Sequence, residues 1–381
     1  MIKPHFFASW SRYVVGIVLA VSQSLSHAAE SPLLGLFDVY DQNRQTGVAN
    51  LITPDLLMVS YSLIRERSVI DQERDVIIPA FSGMVQDLTA TFASTKAKSP
   101  SHKLAYAYLL TLKGLLDGQK PAAPKGFEQL ALEWTLLEAQ QGLAESPILG
   151  VKLDYSQLQV RGRYSQNAAL RNYFRAFRYA SLAHFFAQGS AATGVSAEQA
   201  LTLTQSARLL SEAIAKSNKS QTYYRSLHQA LNWQYGQMTE LNYEDVLAVK
   251  NDSPKLDWKN ATQVGQALVS YAREHGRQSR VYDYPVDLGK LTPGQTVDDV
   301  LVGWRLFAPA LNNDSAAYQA LIYPQTGKFV SPCGALTCVQ PWSLATIDGK
   351  QVKAYARGVE LLASLGISAA IDSSQAQGEH L

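Results

Sequence analysis

Residues 153–186 read LDYSQLQVRGRYSQNAALRNYFRAFRYASLAHFF, and this stretch decides how the chain is read. It holds Arg161, Arg163, Arg171, Arg175 and Arg178, and no Asp or Glu stands between Tyr155 and Ala197. Ser165 has the side chain of a helix N-cap, which predicts a helix from about Gln166 to Gln188. On such a helix Leu170, Phe174, Phe177, Ser181 and His184 form a core-facing stripe. Arg171, Arg175 and Arg178 recur at i, i+4, i+7 on a second face. The segment is therefore an ordered loop followed by a capped amphipathic helix.

The same periodicity extends in both directions. Thr53 caps and Pro54 opens TPDLLMVSYSLIRERSVI, whose Leu57, Tyr61 and Ile64 share one face. KLAYAYLLTLKGLLDG is a helical run stopped by Gly118. GFEQLALEWTLLEAQQG aligns Phe127, Leu130, Trp134 and Leu137, with Glu128, Glu133 and Glu138 turned mostly away and Gly142 as the stop. SAEQALTLTQSARLLSEAIAKS and TYYRSLHQALNWQYG continue the pattern, and Asn242 with Asp245 resembles a capping box. Short breakers at 120–126, 187–194 and 251–255 read as connections within one domain. Past residue 318 the texture changes: LATIDGKQVKAYA carries a turn signal between β-type residues, and a last helix is expected near 351–365. The fold class is all-α, mostly helical, with a small irregular or β-hairpin C-terminal segment. The expected organisation is a helical domain over 29–330 and a C-terminal segment over 331–381.

Residues 1–28 read as a secretory signal peptide: Lys3 and Arg12 precede a short apolar core from Val14 to Val21, and Ser26-His27-Ala28 offers small residues for cleavage after Ala28. No later stretch reads as apolar enough to span a membrane. Removing 1–28 lowers the formal charge from 34 − 32 = +2 to 32 − 32 = 0, a balance that argues against a general nucleic-acid binder. Hydrophobic content of 46% supports a real core. The expected address is periplasmic or secreted, where Cys333 and Cys338 read as a small disulfide-closed loop.

In the central stretch, Asp154-Tyr155-Ser156-Gln157, Arg161-Gly162-Arg163-Tyr164-Ser165 and Tyr173-Phe174-Arg175-Ala176 stand where a known family has D-Y-S-Q, R-G-H-Y-T and R-Y-F-R/K-A. The chain thus resembles domain of unknown function 3160, a family of exported bacterial and archaeal proteins. Thr53, Asp55, Leu57 and Tyr61 align with an upstream family segment, and the similarity runs over roughly residues 50–324. Val59, Ser62 and Arg163 occupy positions where the family has histidine, so the resemblance implies that any chemistry of those histidines is lost here. Family members are often longer, which implies that this chain lacks a C-terminal half or has replaced it with the cysteine-bearing segment.

Arginine offers a planar fork for carboxylate, phosphate or sulfate and stacks on aromatic rings. Asp154, Tyr155, Arg161, Arg163, Tyr164, Arg171 and Arg175 are accordingly the candidate ligand-binding residues, with Arg163 and Tyr164 nearest a ligand. The competing reading pairs these arginines with Glu128, Glu133, Glu138 or Asp154, or sets them on helix C-termini. Tyr282, Asp283, Tyr284 and Asp287 form a second candidate rim. His102, His184, His228, His275 and His380 lack metal-site spacing, so neither a metal nor a cofactor is expected. The leading expectation is a non-catalytic binding or assembly protein that meets an anionic ligand or a periplasmic protein. The alternative is a polysaccharide hydrolase or lyase with Arg, Tyr and carboxylate side chains in a helical cleft.

Overall fold

The computed structural model describes residues 36–50, 53–95, 99–279, 281, 283–310, 312–322, 344–347, 350–353, 356, 358–364, 366–370 and 372. The expected signal peptide, Tyr282, Cys333, Cys338 and His380 lie outside the described residues. Contacts divide the chain at Ser68, leaving a small N-terminal unit and a main unit from Val69 onward.

The N-terminal unit contains α1 (Leu36–Thr46) and most of α2 (Pro54–Gln72). Thr53 Oγ1 accepts from Leu56 N at 3.2 Å. This is the N-cap that its sequence predicts. The aligned Leu57, Tyr61 and Ile64 are exposed.

A π-helical turn, Glu73–Ile77, joins α2 to α3 (Ile78–Ser94). Against the sequence expectation, Pro54–Ser94 is a continuous helical run of 41 residues, long and apolar enough by composition to cross a membrane. Core helices share that property, and here Phe81, Met84, Val85, Leu88 and Phe92 are buried within the main unit.

At the centre of the main unit lies α4 (Pro100–Asp117), packed by α3. Ser99 accepts from His102 N at its start, and Gly118 ends it at φ +69. That is a left-handed turn, which costs glycine nothing. Next comes α5 (Gln129–Ala139), followed by the antiparallel pair β1 (Leu143–Glu145) and β2 (Lys152–Asp154). Helix α5 stops at Gln140, whose φ is +49, before the glycine expected to end it. Two 3-10 turns, Tyr155–Leu158 and Gly162–Ser165, lead to α6 (Ala168–Leu182).

Helix α6 is shorter than expected. Its N-cap is Asn167, which accepts from Leu170 N at 2.9 Å, because Ser165 is taken up by the preceding 3-10 turn. The buried face is also rotated: Tyr173, Ala176 and Tyr179 point inward, while Phe174 and Phe177 are half-buried. Helix α6 packs on α4.

Beyond it come β3 (Phe185–Phe186), α7 (Ala197–Lys216), α8 (Asn218–Tyr235), α9 (Tyr243–Asp252) and α10 (Ala261–Glu274). Helix α7 packs against α4, α8, α9 and α10. The predicted capping box of α9 is formed in both directions by Asn242 and Asp245. After α11 (Val297–Val300), β4 (Gly303–Trp304) pairs antiparallel with β3. A Cβ on Gly303 would sit 2.7 Å from Phe185 O. Only glycine permits so close an approach. That pairing sets Arg305 beside His184.

The chain continues with α12 (Asn313–Ala320), the antiparallel hairpin β5 (Leu344–Ile347) and β6 (Lys350–Lys353), and α13 (Gly358–Ser364). Residues 351–353, expected in the last helix, are strand, and that helix starts only at Gly358. The described fold is mostly helical, with three two-stranded sheets among the described residues.

Candidate functional site

The loop of residues 154–165 closes on itself and on two buried carboxylates. Asp154 accepts from Ser156 N at 3.1 Å, Ser156 Oγ at 2.6 Å and Gln157 Nε2 at 3.2 Å. Those bonds, Ser156 foremost, hold its carboxyl below the usual range. Tyr155 is buried, and its hydroxyl donates to Glu133 Oε1 at 2.7 Å. Glu133 accepts further from Ser146 Oγ at 2.6 Å and Ile148 N at 3.4 Å. Contrary to its expected outward position, Glu133 is fully buried, and burial raises its pKa.

Arg163 and Tyr164 converge on the second carboxylate, Glu73, at the start of the π-helical turn. Tyr164 donates to Glu73 Oε1 at 2.7 Å, and Arg163 Nη2 reaches the Tyr164 hydroxyl at 2.8 Å and Glu73 Oε1 at 3.4 Å. The guanidinium also lies 4.8 Å from the centre of the Tyr164 ring. That is a cation–π contact. Glu73 is fully buried and its pKa is raised by burial, while Tyr164 and Arg163 oppose the rise.

The remaining arginines divide. Arg161 is exposed and donates to Gln159 at 3.0 Å, and Arg171 is exposed. Arg175 donates to Leu137 O at 2.8 Å, in the last turn of α5. A cation there meets unpaired carbonyls and the negative helix end. Arg178 donates to Gln157. Of the second rim, Tyr284 is buried with its hydroxyl donating to Thr193 O at 3.3 Å. Asp287 caps a 3-10 turn through Gly289 N at 3.1 Å and pairs with Lys290 at 3.1 Å. Asp283 belongs to a different group.

That group centres on Arg305, which is 3% exposed. Its Nη1 and Nη2 grip Asp283 in a two-pronged pair at 2.7 and 2.8 Å, the strong geometry of a guanidinium with a carboxylate. Nη1 also donates to Ser181 O at 2.8 Å, and Nη2 to His184 Nδ1 at 3.0 Å. Its Nε lies 3.0 Å from Glu240 Oε2, close enough for an ion pair but not aimed for a hydrogen bond. Glu240 is 4% exposed and accepts from Ser279 Oγ at 2.9 Å through its other oxygen. Burial raises the Glu240 pKa to about 6, Asp283 adds to the rise, and Arg305 and Ser279 oppose it.

Glu240 and Arg305 line a cavity of about 250 Å³. Tyr224, His228 and Asn232 from α8 form one wall, and Gln237, Met238, Leu241 and Asn242 line the α8–α9 connection. Arg277 and Ala308 complete the lining. Arg277 is held by Asp245, with Nε 3.1 Å from Oδ2. The His228 ring stacks on Tyr224 at 3.9 Å, and burial, with Arg277 adding, pushes its pKa down to about 4. The imidazole is therefore neutral at physiological pH. Glu240 Oε2, Arg305 Nε and His228 Nε2 are buried atoms without a hydrogen-bond partner. Glu240 Oε2 and Arg305 Nε answer each other as an ion pair at 3.0 Å, whereas buried polar atoms such as His228 Nε2 are normally satisfied by a hydrogen bond.

Sequence reasoning missed this site. The available signal was Arg305 itself, the one charge in the run Val300–Ala308, a pattern that implies a buried and paired cation. Glu240 gave no local signal.

The geometry carries a pH prediction. The folded Glu240 holds its proton to about 6 against an ordinary 4.5. Its contribution to stability is therefore full below the ordinary value and is lost as pH rises through the folded one. His228 acts oppositely, because its lowered pKa makes the fold lose stability as pH falls from 6.5 toward 4. In Glu240→Gln the first contribution disappears. Unfolding by urea, followed between pH 4.5 and pH 6, should then show stability rising more steeply with pH than in the wild type. The difference across that window should reach about 2 kcal/mol. Parallel profiles would refute the assignment.

A family model described as a protein of unknown function, DUF3160, matches residues 16–376. The chain belongs to this family. The match exceeds the 50–324 window expected from the motifs, and it takes in the cysteine-bearing segment as well as the cavity. A search of curated proteins and a search of solved structures returned no match.

Proposed function

We propose that this family member is an exported, non-catalytic binding protein that takes a small hydrogen-bonding ligand into the cavity at Glu240 and Arg305. The observation that carries this reading is a cavity lined by the ion-paired Glu240 and Arg305, the neutral His228 and the exposed amides of Asn232 and Gln237. The positions of Glu240, Arg305 and His228 are fixed beforehand by Asp283, Ser181, Ser279 and the Tyr224 ring. A preorganised site loses little freedom on binding. The arginine-rich loop supports the protein around the site, because Tyr155, Arg163, Tyr164 and Arg175 are committed to internal partners.

The polysaccharide-enzyme alternative needs two carboxyl groups flanking a scissile bond. Glu240 and Asp283 instead both face one guanidinium, which favours binding over cleavage.

Export is supported by the charged start, apolar core and small residues before Ala28, and the Cys333–Cys338 loop suits an oxidising compartment. Intact mass of the protein recovered from a periplasmic fraction should match a chain beginning at Ala29 less two hydrogens. A full-length reduced mass would contradict both.

Binding is tested by titration calorimetry of the purified protein against neutral sugars, sugar acids and amino acids. Asn232 and Gln237 are exposed at the cavity. Asn232→Ala with Gln237→Leu should therefore leave the fold intact and weaken the bound class about tenfold or more. Ligand binding untouched by that double variant would place the site elsewhere, and turnover of a glycan would overturn the non-catalytic reading.

A further inference from the structure

The charges at the cavity narrow its ligand. Two cations, Arg277 and Arg305, line it, and three carboxylates, Glu240, Asp283 and Asp245, line it or grip its arginines. His228 is neutral, so it does not alter that balance. Both guanidiniums are thus already compensated, so a ligand carboxylate or phosphate would meet no uncommitted cation among them. A like charge beside the buried Glu240 is costly where water does not screen it.

The lining points the same way. Glu240 Oε2 and Arg305 Nε lie 3.0 Å apart and already answer each other as an ion pair. The neutral His228 and the exposed amides of Asn232 and Gln237 give the rest of the lining both donors and acceptors without charge. A ligand carboxylate can only accept and an ammonium can only donate, whereas a hydroxyl does both and suits such a lining. A volume of about 250 Å³ fits one sugar ring.

We propose that the cavity selects a neutral polyhydroxylated ligand, a single uncharged sugar unit, and discriminates against its anionic counterpart through Glu240. This rests on the reading of the cavity as the binding site.

The test titrates the full-length protein with glucose, galactose, mannose and N-acetylglucosamine, and with glucuronate and glucosamine as acidic and basic twins. At least one neutral sugar should bind at neutral pH, about tenfold or more tighter than glucuronate. Glu240→Gln keeps a planar hydrogen-bonding group and removes the charge, so the preference for the neutral sugar over glucuronate should shrink toward parity. A purely structural role for Glu240 would lower both affinities together and leave that ratio unchanged, which would overturn the proposal. So would glucuronate or glucosamine binding as tightly as the best neutral sugar. If such a charged probe still responds to Asn232→Ala with Gln237→Leu, the cavity survives as the site and only the ligand class fails. If no neutral sugar binds, the class is overturned, and if no probe responds to that double variant the site fails with it.

Discussion

Replacing Arg305 with methionine should destabilise the protein by about 3–5 kcal/mol, read as a shift in the midpoint of urea unfolding. Methionine fills much of the arginine's volume, so the loss comes from charge and hydrogen bonding more than from a void. Without the guanidinium, Glu240 and the half-buried Asp283 lose their shared cation, and Ser181 O and His184 Nδ1 lose a donor. Removing one member of a buried ion set is costly because the remaining charges stay out of water. Adding Glu240→Gln to Arg305→Met should restore part of the loss, since it deletes one stranded charge. A loss below about 1 kcal/mol for Arg305→Met, or strict additivity with Glu240→Gln, would show that this set does not organise the fold around the cavity.

Glu133→Ala is expected to cost about 3–5 kcal/mol. Glu133 is the shared acceptor of Ser146 Oγ, Tyr155 OH and Ile148 N. Its loss strands several donors in the core and opens a cavity on α5. Tyr155→Phe removes one donor and leaves the other two bonds, so it should cost less, about 1–2 kcal/mol. Thermal unfolding of the two variants tests the order. Equal losses would mean that Glu133 acts mainly through Tyr155, and a negligible effect of Glu133→Ala would refute the node.

The contrast between Glu133 and Arg305 shows what could be read before folding. Several local signals, whose partner is a few residues away, read correctly: Thr53 capping α2, Gly118 ending α4, and the Asn242–Asp245 box opening α9. The α6 N-cap moved from Ser165 to Asn167 because both residue types cap well, and the 3-10 turn at Gly162–Ser165 chose between them. The usual rule that charge faces water places Glu133 outward. Its partners lie 13 to 22 residues along the chain, and no periodicity encodes them. The arginine-rich loop was legible as a distinctive ordered unit, but the role of Arg163 depends on Glu73, 90 residues earlier. The cavity is harder still, because its lining runs from Tyr224 to Ala308 and is joined by long-range contacts such as the Leu241–Trp304 bridge and the Arg277–Asp245 and Arg305–Glu240 pairs.

The central claim is that the polar cavity at Glu240, Arg305 and His228 receives the ligand. The most direct measurement is a nitrogen–proton correlation spectrum of the histidine side chains, recorded while a bound sugar or other identified ligand is titrated in. His228 Nε2 should shift and saturate at the calorimetric affinity, while His102 and His275, which lie off the cavity lining, should stay unmoved. Saturable binding that leaves His228 unchanged would contradict the account.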